Sequence, residues 1–277
     1  MEPLSPRIRR LYLYLFVLLF LAILPLVILY ADGWRFREGF GFVKTGGIFI
    51  SVPYPNAEVF VDGERVGESG FLDRSFYIDN LAPSAYSVRV EADEFITWNR
   101  ILVVEPQLVT DARALLIATD IHLAEVTTRP PVLDQVQVSA ETFVTYAAAF
   151  ATSTPIVASS TLPIDESDGA GLFLDRGDVS VKLMSADALP PSYFCGRPSF
   201  CVTEIPIERG APTTSSAQFY SGGVVYLTDA GLYFSEVDIR PTALQVTLYE
   251  KPDIEFRILG DALLVKDGTK ILQVVGL

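Results

Sequence analysis

The residue types that carry most enzymatic chemistry are sparse in this sequence of 277 residues. His122 is the single histidine, so a Ser-His-Asp or Cys-His arrangement would have to use it. Its neighbours are typical of an ordinary β-strand, which favours a structural histidine. The sequence contains no Gly-x-Ser-x-Gly nucleophile elbow and no His-Glu-x-x-His zinc motif. We therefore expect a protein that is not an enzyme.

One acidic cluster could hold a cation. Asp165 and Asp168 stand beside further oxygen ligands and are followed by Gly169. Alternating oxygen ligands ahead of a glycine turn suit calcium, so the two aspartates form a weak calcium site by this criterion. The distal glutamate of an EF-hand loop is missing, because Arg176 stands where it would fall. A solvated polar loop is the favoured alternative.

Two further features concern a covalent link and a sugar contact. Cys195 and Cys201 are the only cysteines, and outside the cytoplasmic membrane such a pair usually forms a disulfide. Two free, buried cysteines are the alternative, and the spacing is not that of a redox-active CxxC pair. Trp98 lies among polar neighbours, where an exposed ring could stack on a glycan. A packed tryptophan is the favoured alternative.

These residues follow a membrane anchor. The sequence has 20 residues without charge that begin at Leu11 and end at Tyr30. A helix of that length reaches about 30 Å, the thickness of a hydrocarbon core. A cleaved signal peptide and a buried core helix are the alternatives, but the run is long for the first and unbroken for the second.

The charges around the anchor set its expected orientation. Arg7, Arg9 and Arg10 directly precede the apolar run, and only Glu2 opposes them. Positive charge beside the first span is retained on the cytoplasmic side. We therefore expect a single-pass protein of the cell membrane, with a cytoplasmic N-terminus and extracytoplasmic domains.

The overall charge limits the partners. The chain has a net charge of −13, and without the first 30 residues it keeps 18 basic and 33 acidic residues, or −15. Nucleic acid needs Lys and Arg for its phosphates, so we expect none as a partner. The expected partners are the lipid bilayer, through residues 11–30, and a cell-wall glycan or an envelope protein. No cofactor is expected apart from the weak calcium candidate.

The first outer region predicts short strands. Residues 46–119 contain several apolar alternations of period two that are separated by Gly, Pro and Asn. Asp62 and Gly63 stand between two such alternations, which is a strong signal for a β-hairpin. Short strands with frequent turns indicate a small β-sandwich.

This region also resembles a known family. The segments YPNAEVFVDG (residues 54–63), LAPSAYSVRV (residues 81–90) and EFITW (residues 94–98) resemble the signature of the PEGA domain. Residues 33–36 and 44–48 are similar to the lead-in of membrane-anchored bacterial PEGA proteins. The Pro-Glu-Gly-Ala motif is shortened here to Pro-Asn-Ala, and the usual Pro-Gly turn has become Pro-Ser-Ala. The resemblance implies a small sandwich in surface-exposed, non-catalytic contexts and no fixed ligand.

The second outer region repeats a hairpin pattern. An apolar strand, a turn with Asp and Gly and another apolar strand recur around Gly177, Gly231 and Gly268. Spacing of this order is typical of propeller blades, and Phe143 to Tyr146 could open an earlier, degenerate unit. The alternatives are a propeller-like array, to which the resemblance to anchored PEGA proteins adds weight, and a second β-sandwich.

The sequence thus predicts a mainly β protein behind one transmembrane helix. Its expected parts are a cytoplasmic tail (1–10), a transmembrane helix (11–30), a juxtamembrane spacer (31–45), a PEGA-like β-sandwich (46–119) and a propeller-like β-rich domain (120–277). We expect an extracytoplasmic, non-catalytic binding or structural module of the cell envelope. A membrane-anchored envelope hydrolase that uses acids such as Asp165 and Asp168 is one alternative. An assembly or sensory subunit of a membrane complex is the other.

Overall fold

The computed structural model describes residues 6–37, 41–151, 162–185, 189–208, 214–241 and 243–277. The protein is mainly β, with one long N-terminal helix, as the sequence predicts. The helices are α1 (Pro6–Ala31) and α2 (Ala140–Ala149), and a 3-10 turn spans Ser192–Phe194. The strands are β1 (Trp34–Arg37), β2 (Gly41–Lys44), β3 (Gly46–Ser51), β4 (Glu58–Val61), β5 (Glu64–Glu68), β6 (Ser75–Leu81), β7 (Ala85–Glu91), β8 (Trp98–Val103), β9 (Val109–Arg113), β10 (His122–Thr127), β11 (Gln135–Gln137), β12 (Asp165–Ser167), β13 (Ala170–Asp175), β14 (Asp178–Leu183), β15 (Cys195–Arg197), β16 (Phe200–Cys201), β17 (Glu204–Glu208), β18 (Thr214–Tyr220), β19 (Gly223–Thr228), β20 (Leu232–Glu236), β21 (Gln245–Tyr249), β22 (Glu255–Leu259), β23 (Ala262–Asp267) and β24 (Lys270–Val275).

Helix α1 contains the whole apolar run from Leu11 to Tyr30. It is the one helix among the described residues that is long and apolar enough to cross a membrane, and no part of its apolar window is buried against the rest of the chain. The helix ends at Ala31, two residues before Gly33, whose φ of 81° lies in the left-handed region that commonly follows a helix C-terminus.

The stretch predicted as a spacer forms a short hairpin. β1 and β2 pair antiparallel, and Phe36 faces Phe42 across the pair, with ring centroids 5.5 Å apart. The backbone N–H of Thr45 donates to the carbonyl of Gly33, 3.1 Å away. The hairpin therefore closes on itself beside the end of α1, because alternating aromatic residues on both strands favour cross-strand pairing.

Seven strands form a two-layer sandwich. A three-stranded sheet has the order β6-β3-β9 and a four-stranded sheet the order β5-β4-β7-β8. Their inner faces share one apolar core, in which Ile48, Val59 and Leu102 are fully buried. Asp62 and Gly63 have φ values of 50° and 83° and connect β4 to β5, which confirms the predicted hairpin.

Each of the three repeated patterns is the central hairpin of a separate sheet. Sheet I has the order β12-β13-β14-β17, and sheet II has the order β18-β19-β20-β21. Sheet III has the order β11-β10-β24-β23-β22, so the first strand of this region pairs with the last strand of the chain. The hairpins around Gly177, Gly231 and Gly268 join β13 to β14, β19 to β20 and β23 to β24, as predicted.

The three sheets are stacked face to face. In β19, Val224 and Tyr226 pack towards sheet I, whereas Val225 and Leu227 pack towards sheet III. Strands that are buried on both faces read as continuous apolar runs, which explains the composition of the repeats.

The stack does not close into a propeller within the described residues. The far face of sheet III takes α2 instead of another blade, with Leu264 and Phe150 in one cluster. The suggestion that Phe143 to Tyr146 open a further β unit is wrong, because this segment lies in α2. Ser139 caps the helix by accepting from the N–H of Thr142, and the alanine-rich sequence favours a helix.

Candidate binding cleft between the sandwich and the sheet stack

The sandwich is joined to sheet II by a buried charged contact. Strand β8 supplies Trp98 and Arg100, and β20 ends at Glu236. The indole N–H of Trp98 donates to one carboxylate oxygen of Glu236, 3.1 Å away, and the Arg100 guanidinium donates to the other oxygen. A carboxylate removed from water needs such donors, so this contact fixes how the two regions meet.

A second pair lies next to the first. The Arg240 guanidinium donates to both carboxylate oxygens of Asp238, at 2.9 and 3.1 Å from Nε and at 2.7 Å from Nη2. Its Nη1 donates to the carbonyl of Asp111 in β9, 2.8 Å away. Arg100 Nε lies 3.9 Å from Asp238. None of these four charged residues is more than 8% exposed. The interface therefore holds two acids and two arginines and is balanced in charge.

The loop between the two cysteines forms a third link. Cys195 and Cys201 are joined by a disulfide, which confirms the prediction. Within this loop, Ser199 donates from its backbone N–H and its hydroxyl to the carboxylate of Glu105, at 2.8 and 2.7 Å. These hydrogen bonds lower the pKa of Glu105. The disulfide loop thus clasps the turn that connects β8 and β9 of the sandwich.

A cleft opens beside these contacts. Its volume is about 170 Å³, and it is lined by residues from both regions. The sandwich contributes Tyr54, Arg113 and Leu115, and the sheet stack contributes Asp168 and Tyr193 among others. An adjoining pocket shares Arg113, Asp168 and Tyr193, so the two form one continuous depression. Concave sites between domains are where small ligands usually bind.

The polar groups of the cleft offer both donors and acceptors. Within the described residues, the side chains of Arg113 and Asp168 form no hydrogen bond or ion pair. Burial, followed by the nearby Asp168 carboxylate, raises the pKa of Tyr193 to about 12. The Tyr193 phenol therefore stays protonated at neutral pH and keeps a hydroxyl to donate.

The two aspartates of the calcium candidate have different surroundings. Asp165 accepts hydrogen bonds from the backbone N–H of Phe219 and of Glu166, at 2.8 and 2.9 Å, and so links sheet I to sheet II. Asp168 follows in the β12–β13 turn, with a φ of 50°, and lines the cleft. No group of three or more His, Cys, Asp or Glu side chains that could hold a metal ion occurs in the part of the chain described here.

Trp98 is not available for stacking on a glycan. Its side chain is 2% exposed and belongs to the sandwich core. The interpretation of Trp98 as a packed residue is therefore correct, and its assignment as a possible glycan-stacking residue is wrong. The reason is the strand register, which turns Trp98 inward together with Arg100 and Leu102. His122 begins β10 and pairs with Val275, which agrees with its interpretation as a strand residue.

No protein-family model matches this chain, and no curated protein matches its sequence. A solved structure from Bacteroides fragilis, of a protein of unknown function proposed to be membrane-associated, matches with a TM-score of 0.23 and 13% identity. The match covers 83% of this chain and 94% of the other.

No sequence motif marks the residues of the buried joint, which are Trp98, Arg100, Glu236, Asp238 and Arg240. In the segment that includes β20, Glu236, Asp238 and Arg240 alternate with the apolar Val237 and Ile239. This pattern is typical of a strand with one face in water. The signal in the sequence is the mixture of opposite charges at alternate positions, with Glu236 at the end of β20 and with Asp238 and Arg240 after it. Such a mixture also suits a buried layer of ion pairs.

Proposed function

We propose that this chain is a single-pass, membrane-anchored module of the cell envelope, with its β-domains outside the cytoplasmic membrane and with a binding or structural role instead of catalysis. The observation that carries the proposal is α1, a helix of 26 residues that contains the whole apolar run and has no part of its apolar window buried. An apolar surface of this size is unstable in water, and a bilayer is the environment that would cover it.

The contacts between α1 and the sandwich support an anchor that holds the sandwich in a fixed orientation relative to the helix. Arg35 donates to the carbonyl of Tyr30, 2.7 Å away, and its guanidinium carbon lies 3.6 Å from the centroid of the Tyr30 ring. Its Nε donates to Asn80 of β6, 3.1 Å away. A cation at a helix C-terminus interacts favourably with the helix dipole. One side chain therefore ties the membrane helix to the first domain.

We also propose that residues 46–119 form a PEGA-type sandwich. The three-plus-four strand arrangement and the turn at Asp62 and Gly63 support this assignment. So does the hydroxyl of Tyr86, which donates to the carbonyl of Ala82, 2.9 Å away, as tyrosine corners do in other sandwiches. The assignment implies attachment and contact and no particular reaction.

The rigid connection through Arg35 also favours a second candidate, an assembly or sensory subunit that transmits contact through α1. Exchange of residues 11–30 for an unrelated spanning helix separates the candidates. Recovery of a membrane partner by crosslinking would be lost for a subunit and would be unchanged for a simple anchored module.

The proposal is tested by topology and by binding. A cysteine tag after Leu277 should react with a membrane-impermeant maleimide on intact cells or spheroplasts, and a tag before Pro6 should react only after lysis. The full chain in neutral-lipid nanodiscs should then co-sediment with isolated cell-wall polymer. A protected C-terminal tag would refute the topology, and binding to neither wall polymer nor envelope proteins would refute the binding role.

A further inference from the structure

We propose that the cleft between the sandwich and the sheet stack binds one ring of a neutral glycan. This inference rests on the proposed function and assigns a ligand class to one place on the molecule. The charged side chains that line the cleft are balanced once Arg100, which lies behind Glu236, is counted. The cleft has both apolar and polar walls and lies where two regions are locked together.

The locked joint makes the cleft a preformed site. Glu236 lines the cleft and is held by Trp98 and Arg100, while Asp238 is held by Arg240. The walls from the sandwich and the walls from sheet II therefore keep their separation without a ligand. A ligand that enters such a site loses less free energy to the ordering of the protein than one that must bring two mobile surfaces together.

The charges of the cleft do not select a charged ligand. The buried acids and arginines of the joint neutralise one another, and Arg113 and Asp168 add one charge of each sign. A net anion would face the Asp168 carboxylate, and a net cation would face the Arg113 guanidinium. Sugar hydroxyls both donate and accept, so one ring satisfies both side chains without a charge of its own.

The remaining walls suit the faces of a sugar ring. Leu115 and Val237 supply apolar surface, and Tyr54 and Tyr193 supply aromatic surface with hydroxyls. A pyranose is amphipathic in the same way, with C–H groups on its faces and hydroxyls around its edge. Aromatic side chains that combine an apolar body with a polar tip are well matched to such a ligand.

The size of the cleft limits the ligand to a short piece. A volume of about 170 Å³ lies below the range of about 300–1,000 Å³ that holds drug-sized molecules. One ring fits inside, and the rest of a polymer would continue into the adjoining pocket or into solvent. A single ring with a few hydrogen bonds implies a dissociation constant of about 1 mM.

The test uses the full chain in nanodiscs of neutral phosphatidylcholine, which avoids sugar-based detergents. Chitotriose and maltotriose are the glycan probes, and the zwitterionic dipeptide alanyl-alanine is the rival. Ligand-observed saturation-transfer NMR is recorded up to about 10 mM ligand, with empty nanodiscs as the blank. We expect at least one trisaccharide to bind, with transfer concentrated on one terminal ring, and alanyl-alanine not to bind.

Matched variants place the binding in the cleft. Arg113→Ala and Asp168→Asn should each weaken binding by at least about tenfold, because each removes a charge-assisted hydrogen bond. Arg129→Ala and Asp134→Asn are the controls, since both residues are exposed, and Asp134 has a φ of 58°, close to that of Asp168. Thermal unfolding of each variant verifies that it is folded.

Three outcomes overturn the proposal. Neither trisaccharide binds at the highest concentration, or alanyl-alanine binds while both sugars do not, or a sugar binds equally well to Arg113→Ala, Asp168→Asn and the controls. The maleimide topology experiment is independent of this cleft. If the C-terminal tag is accessible from outside and neither trisaccharide binds, the glycan proposal is refuted and the proposed anchored module is retained.

Discussion

The indole N–H of Trp98 donates a hydrogen bond of 3.1 Å to Glu236, which lies 138 residues further along the chain. The same carboxylate accepts from Arg100 and from the backbone N–H of Leu244. Trp98 and Arg100 of the sandwich thus supply two of the three hydrogen bonds that Glu236 of sheet II accepts here. Because a buried carboxylate without these donors would be costly, the two regions support each other's folded state.

Glu236→Gln should destabilise the full chain by about 3 kcal/mol, because it leaves the buried Arg100 without its closest opposite charge. The measurement is urea unfolding in nanodiscs, followed by tryptophan emission. Trp34→Phe serves as the background, so that Trp98 is the single reporter. Glu250→Gln, at an exposed position, is the control. Equal unfolding midpoints for the two glutamine variants would contradict the role assigned to the joint.

Replacement of both cysteines by serine should lower the free energy of unfolding by about 2 kcal/mol, as expected for a short loop in the chain-entropy model. The same loss should appear when the natural chain is treated with a reductant. The doubly substituted chain should not respond to the reductant, which makes it the control. If reduction leaves the unfolding midpoint of the natural chain unchanged, the disulfide does not stabilise the fold.

The clasp between Glu105 and Ser199 should depend on pH. Hydrogen bonds from Ser199 lower the pKa of Glu105 in the folded state below its ordinary value of 4.5. The clasp therefore contributes fully above that ordinary value and is lost as the pH falls through the lowered value. A double-mutant cycle with Glu105→Gln and Ser199→Ala should show a favourable coupling at neutral pH and almost none well below the lowered pKa. A coupling that does not change with pH would contradict this assignment.

The arginines before the membrane helix should set its orientation. In the proposed topology the N-terminus is cytoplasmic, and substitution of Arg7, Arg9 and Arg10 by Gln removes the positive charge that would keep it there. We expect a mixed population in which part of the C-terminal tag is protected from the maleimide on intact cells. Substitution of Arg35 by Gln, on the other side of the span, is the control and should leave the tag accessible. A fully accessible tag in the triple variant would show that other features orient the chain.

Gly231→Ala should destabilise sheet II by more than about 2 kcal/mol, because of backbone strain and a steric clash. Gly231 has a φ of 152°, and an added Cβ would collide with the carbonyl oxygen of Tyr249. Gly70 has no atom within 4 Å of an added Cβ, so Gly70→Ala is the matched control. Thermal unfolding by circular dichroism compares the two. A similar melting temperature for both variants would refute the constraint.

Local patterns were sufficient for much of the fold. The apolar run from Leu11 to Tyr30 specifies a helix because every backbone group in a bilayer must be paired within the segment. Asp62 and Gly63 specify their hairpin because the turn needs positive φ. The three repeated hairpins and the disulfide were also within reach of the sequence, since each depends on neighbours along the chain.

The tertiary structure decided what depends on residues far apart. The sequence favours a packed Trp98, but by their charge Arg100 and Glu236 are expected on the solvent-exposed faces of their strands. They become a buried joint because the register of β8 and the packing of sheet II bring them together across more than 130 residues. The Ser139 cap and the alanines favour the helix around Phe143 locally, but only the tertiary structure shows that it packs on sheet III. Propensity and periodicity report on the local chain, whereas burial and the pairing of charges depend on the complete packing.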